Sequence, residues 1–198
     1  MIRLRTALAA ALLLTLAACG QEAADTPAAP AEPASAPPPS TPVPPAATTL
    51  ALDAAGLMVV MTDNGSTRLI DFGLPKAQTL EIITRVAGAP GPETTNAECG
   101  AGPMQFVDYP GGLTLLFQND SFAGWSVGKD SQGRQSTMNG VGVGSTRSQL
   151  VAAFTGVTVE ETSLGQEFSA AGLSGVLSGP DANATIETMW AGTSCVFR

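Results

Sequence analysis

The chain carries Phe72-Gly73-Leu74-Pro75-Lys76-Ala77-Gln78 in its first half and Val143-Gly144-Ser145-Thr146-Arg147-Ser148-Gln149 in its second. In each stretch a glycine lies two residues before a residue suited to start a helix, Pro75 in one and Thr146 in the other. The apolar residues that follow fall on one helical face and align in pairs, Leu80 with Val151 and Ile83 with Phe154. The two stretches therefore predict two helices that begin alike.

The sequence after each predicted helix also matches between the halves. The aligned positions are Gly112-Leu113 with Gly172-Leu173, Phe117 with Leu177, and Trp125 with Trp190. A shared order of helix, Gly-Leu strand and terminal tryptophan is typical of a duplicated unit. We therefore predict an α+β fold in which two tandem helix-plus-antiparallel-sheet units, residues 49–130 and 131–198, form one domain.

Turn residues and alternating apolar residues predict the remaining elements. Residues 57–62 and 67–72 read as a hairpin around the Asn64-Gly65 turn, and the first helix should end near Gly88. Thr146 and Gln149 have the spacing of a capping box at the start of the second helix. Seven further strands are expected, at residues 105–109, 113–118, 122–127, 157–160, 166–169, 173–178 and 185–190.

Leu16-Ala17-Ala18-Cys19 resembles the lipobox of bacterial lipoproteins, in which a signal peptidase cuts before a cysteine that accepts a diacylglycerol. Arg3 and Arg5 precede an apolar run too short to span a bilayer comfortably, as in a secretory signal. This resemblance implies a signal peptide at residues 1–18 and a lipid-anchored Cys19. Because Gly20 rather than Asp follows Cys19, sorting to the outer membrane, facing the periplasm, is expected. An ordinary signal peptide that leaves a free secreted protein is the alternative.

Residues 19–48 are rich in alanine and proline, and Val43 is their only large apolar residue. Such a segment buries too little apolar surface to fold, so it is predicted to be a disordered tether. Its reach would be roughly 30 Å as a flexible coil and roughly 90 Å when fully extended.

Charge and composition exclude several classes of function. The chain has 9 basic and 17 acidic residues, a net charge of −8, and removal of Arg3 and Arg5 leaves 7 and 17, a net charge of −10. This charge argues against binding to nucleic acid. The chain contains no histidine, which excludes a Ser-His-Asp triad, a Cys-His dyad and a histidine-based zinc site. No catalytic residue, metal site or cofactor is predicted.

If Cys19 is lipidated, Cys99 and Cys195 remain as an even pair in an oxidising compartment, where a disulfide is the expected state. Closing so long a loop would stabilise the fold by roughly 4 to 5 kcal/mol. Two buried free thiols are the alternative.

A wider stretch, Gly142-Val143-Gly144-Ser145-Thr146-Arg147-Ser148-Gln149-Leu150, is similar to the helix-opening motif of the SmpA/OmlA-type lipoproteins, the BamE group, and of the related β-lactamase-inhibitor-like fold. The resemblance implies helices packed on antiparallel sheet, two such units in tandem in the inhibitors, and binding to proteins. The Asp-Tyr-Val-Gln-Gly signature of the barrel-assembly lipoproteins is absent here, which argues against a role in barrel assembly.

Three features of the sequence are candidate sites. Gly140, Gly142 and Gly144 favour a tight turn into the second helix over a nucleotide loop, because a polar segment rather than a buried strand precedes them. Glu160 and Glu161 are adjacent on a predicted strand and so point to opposite faces. Trp125 and Trp190 either close the core or lie together on a possible binding surface.

These observations predict a lipid-anchored, non-catalytic lipoprotein of the cell envelope that acts as a protein-binding or scaffold module. Its expected partners are the membrane, through the N-terminal lipid, and an envelope protein. The alternative is a hydrolase that acts on cell-wall material through carboxylates or serine.

Overall fold

The computed structural model describes residues 47–131 and 133–195, all within the unit Val43–Arg198. The predicted signal peptide, Cys19 and the tether up to residue 46 lie outside the described residues. The first strand begins at Thr48, the last residue of the predicted tether. No helix of the described part is long and apolar enough to cross a membrane.

Twelve strands, two helices and one 3-10 turn make up the described part of the chain. The strands before the second helix are β1 Thr48–Asp53, β2 Gly56–Met61, β3 Thr67–Asp71, β4 Glu93–Asn96, β5 Met104–Tyr109, β6 Leu113–Gln118, β7 Ser121–Val127 and β8 Ser136–Thr137. The strands after it are β9 Thr158–Thr162, β10 Gly165–Ala170, β11 Leu173–Leu177 and β12 Ile186–Gly192. The helices are α1 Lys76–Ala87 and α2 Arg147–Ala153, and the 3-10 turn is Lys129–Ser131.

The prediction of an α+β fold built of two helix-plus-sheet units is wrong, because the structure is mostly β. It contains a four-stranded sheet ordered β3-β2-β1-β8 and an eight-stranded sheet ordered β4-β5-β6-β7-β12-β11-β10-β9. The two helices have only 12 and 7 residues. Strands β1, β4 and β8 were not predicted, and β8 pairs in parallel with β1 across a long stretch of sequence.

The eight-stranded sheet consists of two antiparallel meanders, β4 to β7 and β9 to β12, joined where β12 pairs with β7. One helix precedes each meander, and both helices begin with the same backbone hydrogen bonds. The amide of Gly73 donates to the oxygen of Phe122 (2.7 Å), and the amide of Gly144 donates to the oxygen of Ile186 (2.8 Å). Both glycines have φ near 90°, a left-handed conformation that favours glycine.

The alignment of Trp125 with Trp190 is off by one residue. Leu113 pairs with Val127 in the first meander, and Leu173 pairs with Ala191 in the second. Two residues before Val127 lies Trp125, and two residues before Ala191 lies Met189, so Met189 is the equivalent of Trp125. Because successive side chains on a strand point to opposite faces, the shift of one residue puts the two indoles on opposite faces of the sheet.

One face of the eight-stranded sheet, together with both helices and the four-stranded sheet, encloses the main hydrophobic core. Leu52, Ile83, Leu115, Phe168 and Leu150 are all fully or almost fully buried there. The Trp125 indole lies in this core with 0% exposure and donates to the backbone oxygen of Asp53 (2.9 Å), which ties the two sheets together. Val151, which the alignment pairs with Leu80, is 54% exposed, whereas its neighbour Leu150 is fully buried.

Several local predictions are confirmed. The hairpin of β2 and β3, the end of α1 at Gly88 and the capping box of Thr146 and Gln149 are all present. The capping hydroxyl of Thr146 accepts from the amide of Gln149 at 3.2 Å, and the Gln149 side chain accepts from the amide of Thr146 at 2.7 Å.

Tyr109 is a buried polar side chain of the core whose hydroxyl lies 3.1 Å from the Thr84 hydroxyl. Burial raises the pKa of Tyr109, because removal from water disfavours the phenolate, and the hydrogen bond with Thr84 acts in the opposite direction. The neutral phenol is therefore the form that the folded chain favours.

Candidate functional site

The eight-stranded sheet has a second face, turned away from the helices, which we call the outer face. Successive side chains of a strand point to opposite faces of the sheet. In β5 to β7 and β10 to β12 the side chains of the main cluster face the core, so the side chains between them point to the outer face. This face extends over the eight-stranded sheet and is the candidate site.

A single row of side chains, most of them small and polar, crosses the outer face on seven neighbouring strands. Cross-strand pairing places its members in the order Asp108, Thr114, Ser126, Trp190, Ser174, Ser169 and Thr158. We call this line the hydroxyl row, because five of the seven side chains carry a hydroxyl. At about 4.8 Å between strands it is about 29 Å long. The Thr114 hydroxyl donates to the Asp108 carboxylate at 2.6 Å.

A second line of outer-face side chains runs beside the hydroxyl row on β12 to β9. It consists of Thr188, Val176, Glu167 and Glu160. Glu160 and Glu167 are direct cross-strand partners on β9 and β10. Directly opposed residues in an antiparallel pair have Cα atoms about 4.5 to 5.5 Å apart, so the two carboxylates are neighbours on the outer face. They line an open depression of about 400 Å³ together with Thr158, Ser169 and Ser174.

The Cys99–Cys195 disulfide, as predicted, is formed, with a sequence separation of 96. It covers part of the outer face of β5, β6 and β7. Met104 and Leu116 are buried with Cys99, and Phe106, Ala123 and Cys195 pack against them. We call these residues the disulfide cluster.

The segment before Cys195 is held on the same half of the outer face. The amide of Thr193 donates to the oxygen of Ala123 at 2.8 Å, and a Cβ on Gly124 would lie 2.3 Å from the oxygen of Thr193. Only glycine permits so close an approach of two backbones.

The two halves of the outer face therefore differ. The disulfide cluster covers one part of the first half, where Asp108 of the hydroxyl row is exposed and Thr114 and Ser126 are half-buried. On the second half Ser169, Thr158 and Glu160 are exposed and Ser174 and Val176 are half-buried. We call this second half, the outer-face side chains of β9 to β12, the open half.

Charge is distributed unevenly around the sheet. The described basic residues all lie on other parts of the chain: Arg68 on β3, Lys76 and Arg85 on α1, Lys129 and Arg134 in the segment after β7, and Arg147 on α2. Lys76 is engaged with Glu93 at 2.7 Å and lies over the Phe117 ring at 5.6 Å from its centre. The ionisable side chains of the outer face are thus carboxylates.

The two predicted tryptophan positions do not form a shared binding surface. Trp125 is 0% exposed in the core, and Trp190 is 8% exposed on the outer face, where it pairs with Ser126 and Ser174. The indole of Trp190 therefore belongs to the floor of the hydroxyl row.

The glycines before α2 serve the backbone rather than a nucleotide. Gly140 and Gly144 have φ of 77° and 89°, and a Cβ on Gly142 would lie 2.4 Å from the oxygen of Gln135. Gly142 and Gly144 border an open groove of about 590 Å³ with Lys129 and Glu187. The prediction of a tight turn into the helix agrees with this geometry.

Residues 47–131 and 133–195 contain no group of three or more acidic or cysteine side chains that could hold a metal ion. Glu160 and Glu161 point to opposite faces of β9, as predicted from their adjacency, because Glu161 pairs with Gln166 and Glu160 with Glu167.

The hydroxyl row was not predicted from the sequence. Its members come from seven strands, and their alignment depends on irregularities at Leu116/Phe117 and at Val176/Leu177. The available signal was the alternation of serine and threonine with apolar residues in β7, β10 and β11, which marks strands with one polar face.

No protein-family model, curated protein or solved structure matches this chain.

Proposed function

We propose that this chain is a lipid-anchored, non-catalytic lipoprotein of the bacterial cell envelope whose open half binds a protein partner. The lipobox resemblance at Cys19 and the Ala/Pro-rich tether support the anchored location, with the outer membrane facing the periplasm as the expected site. The resemblance to lipoprotein and inhibitor families that bind proteins supports the class of function.

The observation that carries the proposal is the composition of the open half. A sheet face covered by its own chain carries large apolar side chains, as the disulfide cluster does. Besides Trp190 and Val176, the open half carries Ser169, Ser174, Thr158 and Thr188, which are short and offer hydrogen-bond donors and acceptors across neighbouring strands. A partner surface can therefore approach the sheet closely and still satisfy its own polar groups.

The size of the open half indicates the kind of complex to expect. Four strands at about 4.8 Å spacing and five residues at about 3.4 Å give a plane of roughly 250 Å². A stable protein complex buries about 800 Å² on each partner. We therefore expect a transient complex, or one that also engages the neighbouring loops. Anchoring both proteins to one membrane raises their effective concentration, which offsets a small contact area.

The alternative function, a hydrolase of cell-wall material, has one observation in its favour, the cross-strand pair of Glu160 and Glu167. Carboxylate-dependent glycoside hydrolysis uses two such groups, one of which is kept protonated by a sheltered environment. The depression around the pair is open rather than enclosed, so binding is the better supported function. Release of soluble fragments from purified peptidoglycan by the chain, lost in Glu160→Gln, would establish the hydrolase instead.

Photo-crosslinking in cells tests the binding proposal. A photoreactive amino acid is placed at Ser169 on the open half of the full-length chain, and in a matched variant at Val151, which is exposed on α2. We expect a discrete protein adduct from position 169 and a much weaker one, or none, from position 151. Adducts of equal yield from both positions, or an adduct from 151 alone, would contradict the proposal.

A further inference from the structure

The charges around the open half point to the chemistry of its partner. Glu160 and Glu167 lie on the open half, and Asp108 ends the hydroxyl row on the other side. No described basic side chain lies on the outer face, because the six in residues 47–131 and 133–195 lie on β3, on the helices and in the segment after β7. The open half therefore presents negative charge within a field that the net charge of −8 reinforces.

The geometry of the carboxylates favours a cation at one place. An exposed carboxylate attracts a cation from a partner. Glu167 has an interaction of its own, so Glu160, whose side chain is exposed at the edge strand β9, is the carboxylate that a partner can reach. A side chain from outside the molecule reaches Glu160 without displacing any part of the sheet.

The neighbours of Glu160 accommodate a long side chain. Thr158, Ser169 and Ser174 lie next to the carboxylate pair and are short, so the aliphatic stem of a lysine or arginine can lie flat over them. Their hydroxyls can bond the polar backbone of the same segment. This arrangement is unsuited to an acidic partner, because it would place like charges together.

We infer that the partner places a basic protein segment, one that presents lysine or arginine side chains, on the open half, with Glu160 as its principal contact. This inference rests on the proposed function and adds the chemical class of the partner. Glu160 acts here as a binding residue that contacts the partner's cation.

The sequence offers a matched control for the test. Glu160 and Glu161 are adjacent on β9, both are exposed, and they point to opposite faces. Glu160→Gln and Glu161→Gln therefore remove the same charge from the same strand and leave the same net charge. The melting temperatures of the two variants should agree within about 2 °C, as for exposed substitutions in general.

Both substitutions are introduced into the full-length, anchored chain that carries the photoreactive amino acid at Ser169. We expect Glu160→Gln to lower the adduct yield about tenfold at limiting partner, and Glu161→Gln to leave it within about twofold. The crosslinked partner peptide, sequenced by mass spectrometry, should contain at least two lysine or arginine residues.

The other outcomes overturn the inference in distinguishable ways. Equal losses in both variants would mean that only net charge matters, and no loss in either, or an acidic partner peptide, would mean that the partner class is wrong. In each of these cases the adduct still forms in the unsubstituted chain, so the binding proposal survives. The absence of any adduct from position 169 in the unsubstituted chain would remove the binding proposal and this inference together.

Discussion

Replacing Cys99 and Cys195 together by serine is expected to lower the free energy of unfolding by about 4 to 5 kcal/mol. The disulfide joins residues with a sequence separation of 96. For a loop of that length, the chain-entropy relation gives about 4.7 kcal/mol of stabilisation through the unfolded state. Native disulfides generally contribute about 2 to 5 kcal/mol, so the expected loss lies at the upper end of this range.

Loss of the covalent link also weakens the packing on the first half of the outer face. Met104 and Leu116 are buried with Cys99, and they become accessible when the segment before Cys195 detaches. We expect the double variant to bind a hydrophobic dye that the oxidised chain does not bind. The core on the opposite face should remain intact, because Trp125 and its neighbours do not contact the disulfide cluster.

Urea unfolding measures this loss through the fluorescence of the two tryptophans. The melting temperature should fall by roughly 10 to 20 °C, at about 2 to 4 °C for each kcal/mol in a domain of this size. The wild-type chain reduced with a dithiol should match the double variant, and Glu98→Gln, an exposed change beside Cys99, should behave as the oxidised wild type. A loss below about 1 kcal/mol, or no effect of the dithiol on the wild type, would refute the reasoning.

Three further predictions concern the core, the single tyrosine and the anchor. Gly175→Ala should lower the free energy of unfolding, measured in urea, by at least about 2 kcal/mol, because a Cβ there would lie 2.3 Å from a backbone oxygen. Gly179→Ala, whose Cβ would have nothing within 4 Å, should lower it by less than about 0.5 kcal/mol. Equal losses in the two variants would contradict the packing. Tyr109 is the only tyrosine, so the phenolate absorbance should titrate above pH 10.0 in the folded chain. Because the pKa of Tyr109 is higher in the folded chain than in the unfolded chain, its contribution to stability is complete below about pH 10 and is lost as the pH rises through the folded pKa. A titration midpoint at or below pH 10.0 would contradict this. Cys19→Ala should abolish fatty-acid labelling and release the chain from the membrane fraction, while Gly20→Ala keeps it membrane-bound; an unmodified N-terminus in the wild-type protein would contradict the anchor.

Local sequence signals predicted local structure well. The Asn64-Gly65 pair marks the hairpin, Thr146 and Gln149 mark the start of α2, and Gly88 marks the end of α1. Each of these signals acts within about four residues, where turn geometry and capping depend on residue type alone. The first strand β1 was missed although Leu50 and Leu52 alternate before the Asp53–Gly56 turn.

Long-range arrangement was predicted less well, because it depends on pairings between distant segments. The short β8 gives no sequence signal. It lies in the predicted second unit but pairs with β1 of the predicted first unit, so the four-stranded sheet does not belong to one unit alone. The irregularity at Val176/Leu177 shifts the register of β12 and moves Trp190 to the outer face. A one-residue shift reverses every side chain of a strand, so motif alignment alone does not determine a sheet face.

The claim that the open half of the sheet is the binding surface is tested most directly by scanning the hydroxyl row. The photoreactive amino acid is placed in turn at Thr114, Ser126, Ser174, Ser169 and Thr158, which lie in this order across the sheet. We predict that the adduct yield rises from the first half, which carries the disulfide cluster, to the open half and is greatest at Ser169 or Thr158, the two exposed positions. A yield that is uniform along the row, or greatest at Thr114, would contradict the account.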